Sequence, residues 1–175
     1  GGDSGEVIQA TSSAGGALLI TTNDADNDSE ELQLKGEAFK LSTSKKAYFS
    51  ARFKLSDATE SDMLLGLAIT DTTAIDGVTD GVFFKKDDGD TNLDFVVEKD
   101  STETATAAVG TVADDTFITA TFFIDPDRAK VYYSINNAAP VGVANTNLPD
   151  DEELTVTIAV QAGAAAAKSL TVDYV

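Results

Sequence analysis

The sequence predicts an all-β domain built as a two-sheet antiparallel sandwich. Three observations carry this. Apolar residues recur with period two in several segments, about a dozen short runs rich in β-branched and aromatic residues follow one another, and no long amphipathic helix interrupts them. In the stretch 48–55, Phe49, Ala51, Phe53 and Leu55 fall on one face, and Tyr48, Ser50, Arg52 and Lys54 fall on the other. Side chains alternate faces along a strand, so this is a half-buried strand. Leu154, Val156, Ile158 and Val160 alternate with Thr155, Thr157 and Ala159 in the same way.

The remaining strands follow in order. Apolar runs lie at 17–21, 63–70, 82–84, 93–97, 117–124, 131–135 and 170–175, and Thr102, Thr104 and Thr106 mark a more polar strand. Turn chemistry separates them. Asp-Gly pairs stand at Asp76-Gly77 and Asp80-Gly81, Lys86 to Asp90 reads as a hairpin loop, and Asp125-Pro126-Asp127-Arg128 reads as a tight turn. The alanine run 164–167 is too short for an independent helix and is expected to connect the last two strands. Residues 1–28, polar around the patches Val7-Ile8 and Leu18-Leu19-Ile20, are expected to form an N-terminal arm or first strands on a body spanning 29–175.

Composition restricts function. The 175 residues suit one domain, with 30 acidic against 12 basic side chains and a formal net charge of −18. Phosphate backbones are bound by Lys and Arg, so nucleic acid and anionic membrane are not expected partners. Histidine and cysteine are absent, which removes the usual neutral-pH base, a Ser-His-Asp triad, disulfides and thiol chemistry.

Two acidic motifs invite a chemical reading. Glu98, Asp100 and Glu103 match a Glu-x-Asp-x-x-Glu spacing, which on one strand face can supply the nucleophile and acid of a retaining glycosidase. The polar residues Lys99, Ser101 and Thr102 between them point instead to a solvated hairpin. The run from Asp24 to Glu31 suits a hard cation, but fails as an EF-hand because Ser29 and Lys35 stand where Gly and Glu are needed. Asp87, Asp88 and Asp90 form a similar cluster. The expectation is therefore no catalytic, cofactor-binding or metal-ligating residue. Phe83, Phe84, Phe122, Phe123, Tyr132 and Tyr133 are expected to pack in the core and on sheet surfaces.

The stretch 48–143 resembles the concanavalin A-like or laminin G-like jelly roll. The carrying phrases are Tyr48-Phe49-Ser50-Ala51-Arg52-Phe53-Lys54, the segment from Asp115 to Phe122, the segment from Ala129 to Asn136, and a return strand from Ser169 to Val175. The wording of Gly36 to Lys40, Gly81 to Asp90, Leu93 to Asp100 and Val160 to Ala164 is similar to structural proteins of tailed phages. That resemblance implies a non-enzymatic capsid decoration (cement) protein on the outer surface of the virion. Its partners would be the major capsid protein and sister copies, with a trimer favoured. The alternative is a carbohydrate-binding, lectin-like module that could use calcium, and a glycoside hydrolase is the remote third reading.

Overall fold

The computed structural model describes residues 9–10 and 16–175. Among the described residues, thirteen strands appear in chain order: β1 (Gln9–Ala10), β2 (Leu18–Thr21), β3 (Ser29–Gln33), β4 (Ala47–Leu55), β5 (Ser61–Ala68), β6 (Gly81–Lys86), β7 (Asn92–Lys99), β8 (Thr102–Thr111), β9 (Ile118–Asp125), β10 (Lys130–Ile135), β11 (Val141–Ala144), β12 (Thr155–Ala162) and β13 (Ser169–Tyr174). One helical turn, α1 (Ala74–Gly77), lies between β5 and β6.

The strands form two antiparallel sheets. The seven-stranded sheet has the order β1-β2-β13-β4-β9-β10-β11, and the six-stranded sheet has the order β3-β12-β5-β6-β7-β8. Leu18–Thr21 is an integral strand between β1 and β13. The Val7-Ile8 patch lies outside the described residues.

The alternation read from the sequence sets the packing. Phe49, Ala51, Phe53 and Leu55 point from β4 into the space between the sheets, where they meet Met63, Leu65, Phe84, Phe95, Phe122 and Ile158. Phe84, Phe95, Phe122 and Tyr133 form a ring cluster with centroids 5.1–6.3 Å apart, and Phe49 stacks on Phe122 at 4.9 Å. Tilted and offset pairs of this kind add to the plain gain from area burial.

The structure departs from the sequence reading in three places. Ser29–Gln33, whose first three residues close the acidic run from Asp24 to Glu31, is an edge strand paired with β12. Its side chains are mostly half-buried and its apolar content is low, so periodicity hides it. Asp76-Gly77, expected as a turn between strands, is the end of the single helical turn α1. Lys86, expected in the β6–β7 loop, is buried at the strand end, where its ammonium donates to the carbonyls of Ser61 (2.5 Å) and Asp87 (2.8 Å). Residues 163–168 do connect the last two strands without forming a helix.

Candidate functional site

Alternation gives each sheet an outer face, and the two outer faces differ. On the six-stranded sheet, Leu64, Phe83, Val96 and Ala159 form a second apolar cluster. The segment 69–80 lies over it and inserts Ala74, with Ile75 and Val78 beside it. Gly66 permits the close approach of β6 that sets Phe83 in this cluster, since a Cβ there would fall 2.5 Å from Cβ of Phe83. The segment is tied to β3 and the loop after it by its backbone N–H groups, which donate to side chains there. Glu31 Oε2 accepts from Ala74 N (3.0 Å), Gln33 Oε1 from Asp71 N (3.1 Å), and Glu37 Oε1 from Thr70 N (2.6 Å).

Beside that cover lies a cavity of about 190 Å³ bordered by Asp76, Phe83, Lys85, Glu98 and Glu103. Glu98 on β7 and Glu103 on β8 are directly opposed in register. Burial, reinforced by the charges of Glu103 and Asp80, pushes the Glu98 carboxyl up, against the opposing influence of Lys85. Burial works against the Lys85 ammonium too, but its 3.1 Å pair with Asp87 and the charges of Glu103 and Asp76 outweigh it and raise its pKa.

Asp100 does not join this pair. It and Ser101 form a two-residue turn with φ of 49° and 58°, which reverses the chain between the two glutamates. The backbone N–H of Asp100 donates to the buried carboxylate of Asp80 (3.0 Å), and that of Ser101 donates to the carbonyl of Thr79 (2.9 Å). The Glu-x-Asp-x-x-Glu spacing therefore straddles a hairpin instead of lining one strand.

The other acidic runs are occupied with local structure. Asp28 accepts from Asn23 N (2.6 Å), Asp90 caps Asn92 N (2.7 Å), and Asp88 N donates to the buried Asp62 (2.8 Å). Among the described residues, no three or more Asp or Glu side chains converge as a cation site.

The seven-stranded sheet presents rings. Tyr48 on β4 opposes Phe123 on β9, which opposes Tyr132 on β10, which opposes Gly142 on β11. Phe123 and Tyr132 stack at 4.8 Å with planes 9° apart. A Cβ on Gly142 would lie 2.7 Å from Cε1 of Tyr132, so that ring sits over the glycine. Tyr48 is 70% exposed and stands between two recesses. On one side, a slot of about 310 Å³ runs between Tyr48 and Phe123, bordered by Lys46 and Asp125. On the other, a cleft of about 730 Å³ opens towards Phe39 and Tyr174, floored by Leu41, Phe49, Leu67 and Val156. Phe39 and Tyr174 are 42% and 46% exposed. At the rim, Lys40 donates to the carbonyl of Asp151 (2.9 Å) and pairs with Glu153 (3.2 Å).

The expectation for Phe123 and Tyr132 as sheet-surface packing agrees with their stack. What sequence reading missed is Tyr48. Its position on the polar side of an alternating strand was the available signal, because a large ring there must face outwards.

No protein-family model matches the chain, and no curated protein sequence matches it. Solved structures do match in fold. The carbohydrate recognition domain of Emp47p superposes with a TM-score of 0.68 at 15% identity, over 95% of this chain and 83% of that one. The endo-β-1,4-glucuronan lyase of the fungus Trichoderma reesei gives 0.61 at 10% identity, over 95% and 82%. The endo-1,3-β-glucanase of Streptomyces sioyaensis gives 0.61 at 14% identity, over 90% and 73%. These likenesses overturn the capsid reading: they lead to carbohydrate-recognising and carbohydrate-cleaving proteins, and the expectations of a phage decoration protein and of a place on the virion surface are withdrawn. The expectation of a non-enzyme is withdrawn with them, since a lyase and a glucanase are built on this same sandwich. At these identities the likeness is one of fold, and the chain is an antiparallel jelly-roll sandwich of the concanavalin A-like lectin and glucanase type.

Proposed function

We propose that this chain is a carbohydrate-binding domain whose binding surface is centred on Tyr48. The observation that carries the reading is a tyrosine ring exposed between two recesses and flanked by Phe39, Tyr174 and Phe123. A sugar ring offers one face of C–H groups and an edge of hydroxyls. An exposed aromatic ring receives the first, and nearby polar groups such as Lys40, Lys46 and Ser50 receive the second. The larger cleft falls within the roughly 300–1,000 Å³ typical of small-ligand sites and has the expected apolar lining with few polar groups. The fold shared with a carbohydrate recognition domain supports the same reading. The test is a glycan array followed by calorimetry on the hits, repeated with Tyr48→Ala. Saturable binding lost in the variant supports the proposal, and wild-type protein that binds no glycan rejects it.

A second reading, polysaccharide cleavage, has one observation in its favour. Directly opposed strand residues hold their Cβ atoms about 4.5–5.5 Å apart. The Glu98–Glu103 pair therefore brings two carboxylate side chains onto adjacent strand positions, and a pair of carboxylates is what retaining glycoside hydrolysis uses. The raised Glu98 carboxyl suits a proton donor. The cavity beside it, about 190 Å³ next to the 69–80 segment, is smaller than substrate sites usually are. Release of reducing ends or of unsaturated ends from a polysaccharide, abolished by Glu98→Gln, would establish this reading.

A further inference from the structure

We infer that the glycan held at the Tyr48 surface is an acidic one, carrying carboxylates that sit beside the ring row; this inference rests on the carbohydrate reading above. Register supplies the argument. Residues directly opposite on neighbouring strands share a face, and residues two positions along form the next row. The ring row Tyr48–Phe123–Tyr132 is flanked on one side by hydroxyls, with Ser50 bonded to Thr121 (2.9 Å) and Ser134 opposite Thr121. On the other side, Asp125 is opposed by Lys130, and Lys46 stands two residues before Tyr48 in the wall of the slot.

The charges of this second row do not cancel. The Asp125 carboxylate is already engaged, accepting from Arg128 Nη1 (2.6 Å) and from Asp127 N (3.1 Å). Lys46 pairs with Asp127 at 3.1 Å, but both side chains are largely exposed, and such pairs are worth little and exchange readily. Lys130 makes no ion pair among the described residues. Three cations, Lys46, Arg128 and Lys130, thus face the two carboxylates of Asp125 and Asp127 here, on a chain that has only 12 cations against 30 acids in all. Repulsion from the remaining acids is screened beyond about 8 Å at physiological ionic strength, so the groups lining the row decide which ligand is accepted. An acidic sugar laid on Tyr48 and Phe123 would place its carboxylate against Lys46 or Lys130 and displace only a weak surface pair.

The test compares two probes that differ in one group, namely oligomers of glucuronic acid and neutral gluco-oligomers of the same linkage and length. Binding of each is measured by calorimetry at 0.15 M salt to the wild type, to the double variant Lys46→Ala/Lys130→Ala, and to Tyr48→Ala. The inference expects the acidic oligomer to bind at least tenfold more tightly than the neutral one. It expects that advantage to disappear in the double variant and both oligomers to be lost with Tyr48→Ala. Equal or tighter binding of the neutral oligomer overturns the inference and leaves the carbohydrate reading standing. An acidic preference that survives the double variant overturns the assignment to this row. Failure of the wild type to bind either oligomer, or any glycan on the array, overturns both.

Discussion

Glu98 and Glu103 face one another across the β7–β8 hairpin, two carboxylates in direct register on the outer face of the six-stranded sheet. Burial and the charges of Glu103 and Asp80 raise the pKa of Glu98 in the folded chain. A raised acid favours the protonated folded state. Its stabilising contribution is complete below the pKa of the unfolded chain, near the usual carboxylate value, and is lost as pH rises through the higher folded value. Glu98→Gln should therefore raise stability at pH 7 by up to about 1 kcal/mol, or roughly 2–4 °C in Tm for a chain of this size, and the gain should shrink towards pH 4. Thermal melts of both proteins across that range check it; a variant less stable at pH 7 would contradict the sign.

Tyr48 makes a different kind of prediction. Its ring is 70% exposed, so Tyr48→Ala should change stability by no more than about 0.5 kcal/mol. Glycan affinity should fall about tenfold or more, as expected for loss of a central aromatic anchor. Tyr48→Phe keeps the ring face and should retain most of the affinity. Paired calorimetry and thermal melts separate the two effects.

The ammonium of Lys168 is almost fully buried and meets Asp57 at 2.7 Å. The hydrogen bond from Lys168, helped by the N–H of Glu60, holds the Asp57 carboxyl below its usual value. Asp57→Asn leaves a buried cation without its partner and should cost about 1–3 kcal/mol, less than for a fully enclosed pair because Asp57 is partly open to water. A depressed acid stabilises above its unfolded pKa and loses that contribution as pH falls through the folded value. The gap between wild type and variant in urea melts should thus narrow on acidification below about pH 4.

Gly66 tests the cover over the six-stranded sheet. Gly66→Ala places a methyl group against the backbone and Cβ of Phe83 and should cost about 1–3 kcal/mol. The disturbance should centre on Phe83 and the 69–80 segment above it. Faster hydrogen exchange at Thr70, Asp71 and Ala74, whose amides are held by Glu37, Gln33 and Glu31, would report it.

Much of the fold was legible along the chain. The alternation of Phe49, Ala51, Phe53 and Leu55 against Tyr48, Ser50, Arg52 and Lys54 assigned the buried and exposed sides of β4, and the same period placed β12. Asp125-Pro126 marked the β9–β10 turn through proline's fixed φ. Ser29–Gln33 was not legible, because an edge strand with polar side chains lacks the apolar period and takes its pairing from β12, over a hundred residues away.

Function was read less well, for a related physical reason. The polar residues Lys99, Ser101 and Thr102 did indicate a hairpin between Glu98 and Glu103, but not that it would set the two glutamates directly opposite one another beside a cavity. The sequence by itself determined which side of β4 is apolar, that the chain is strongly acidic and that histidine and cysteine chemistry is closed to it. Only the tertiary structure decided which residues meet. It set Phe123 and Tyr132 beside Tyr48, opened the cleft between Tyr48, Phe39 and Tyr174, and opposed Glu98 to Glu103. Alternation is local and follows from the pleat of a single strand, whereas a surface across three strands depends on register, which is fixed by packing between segments far apart in the chain.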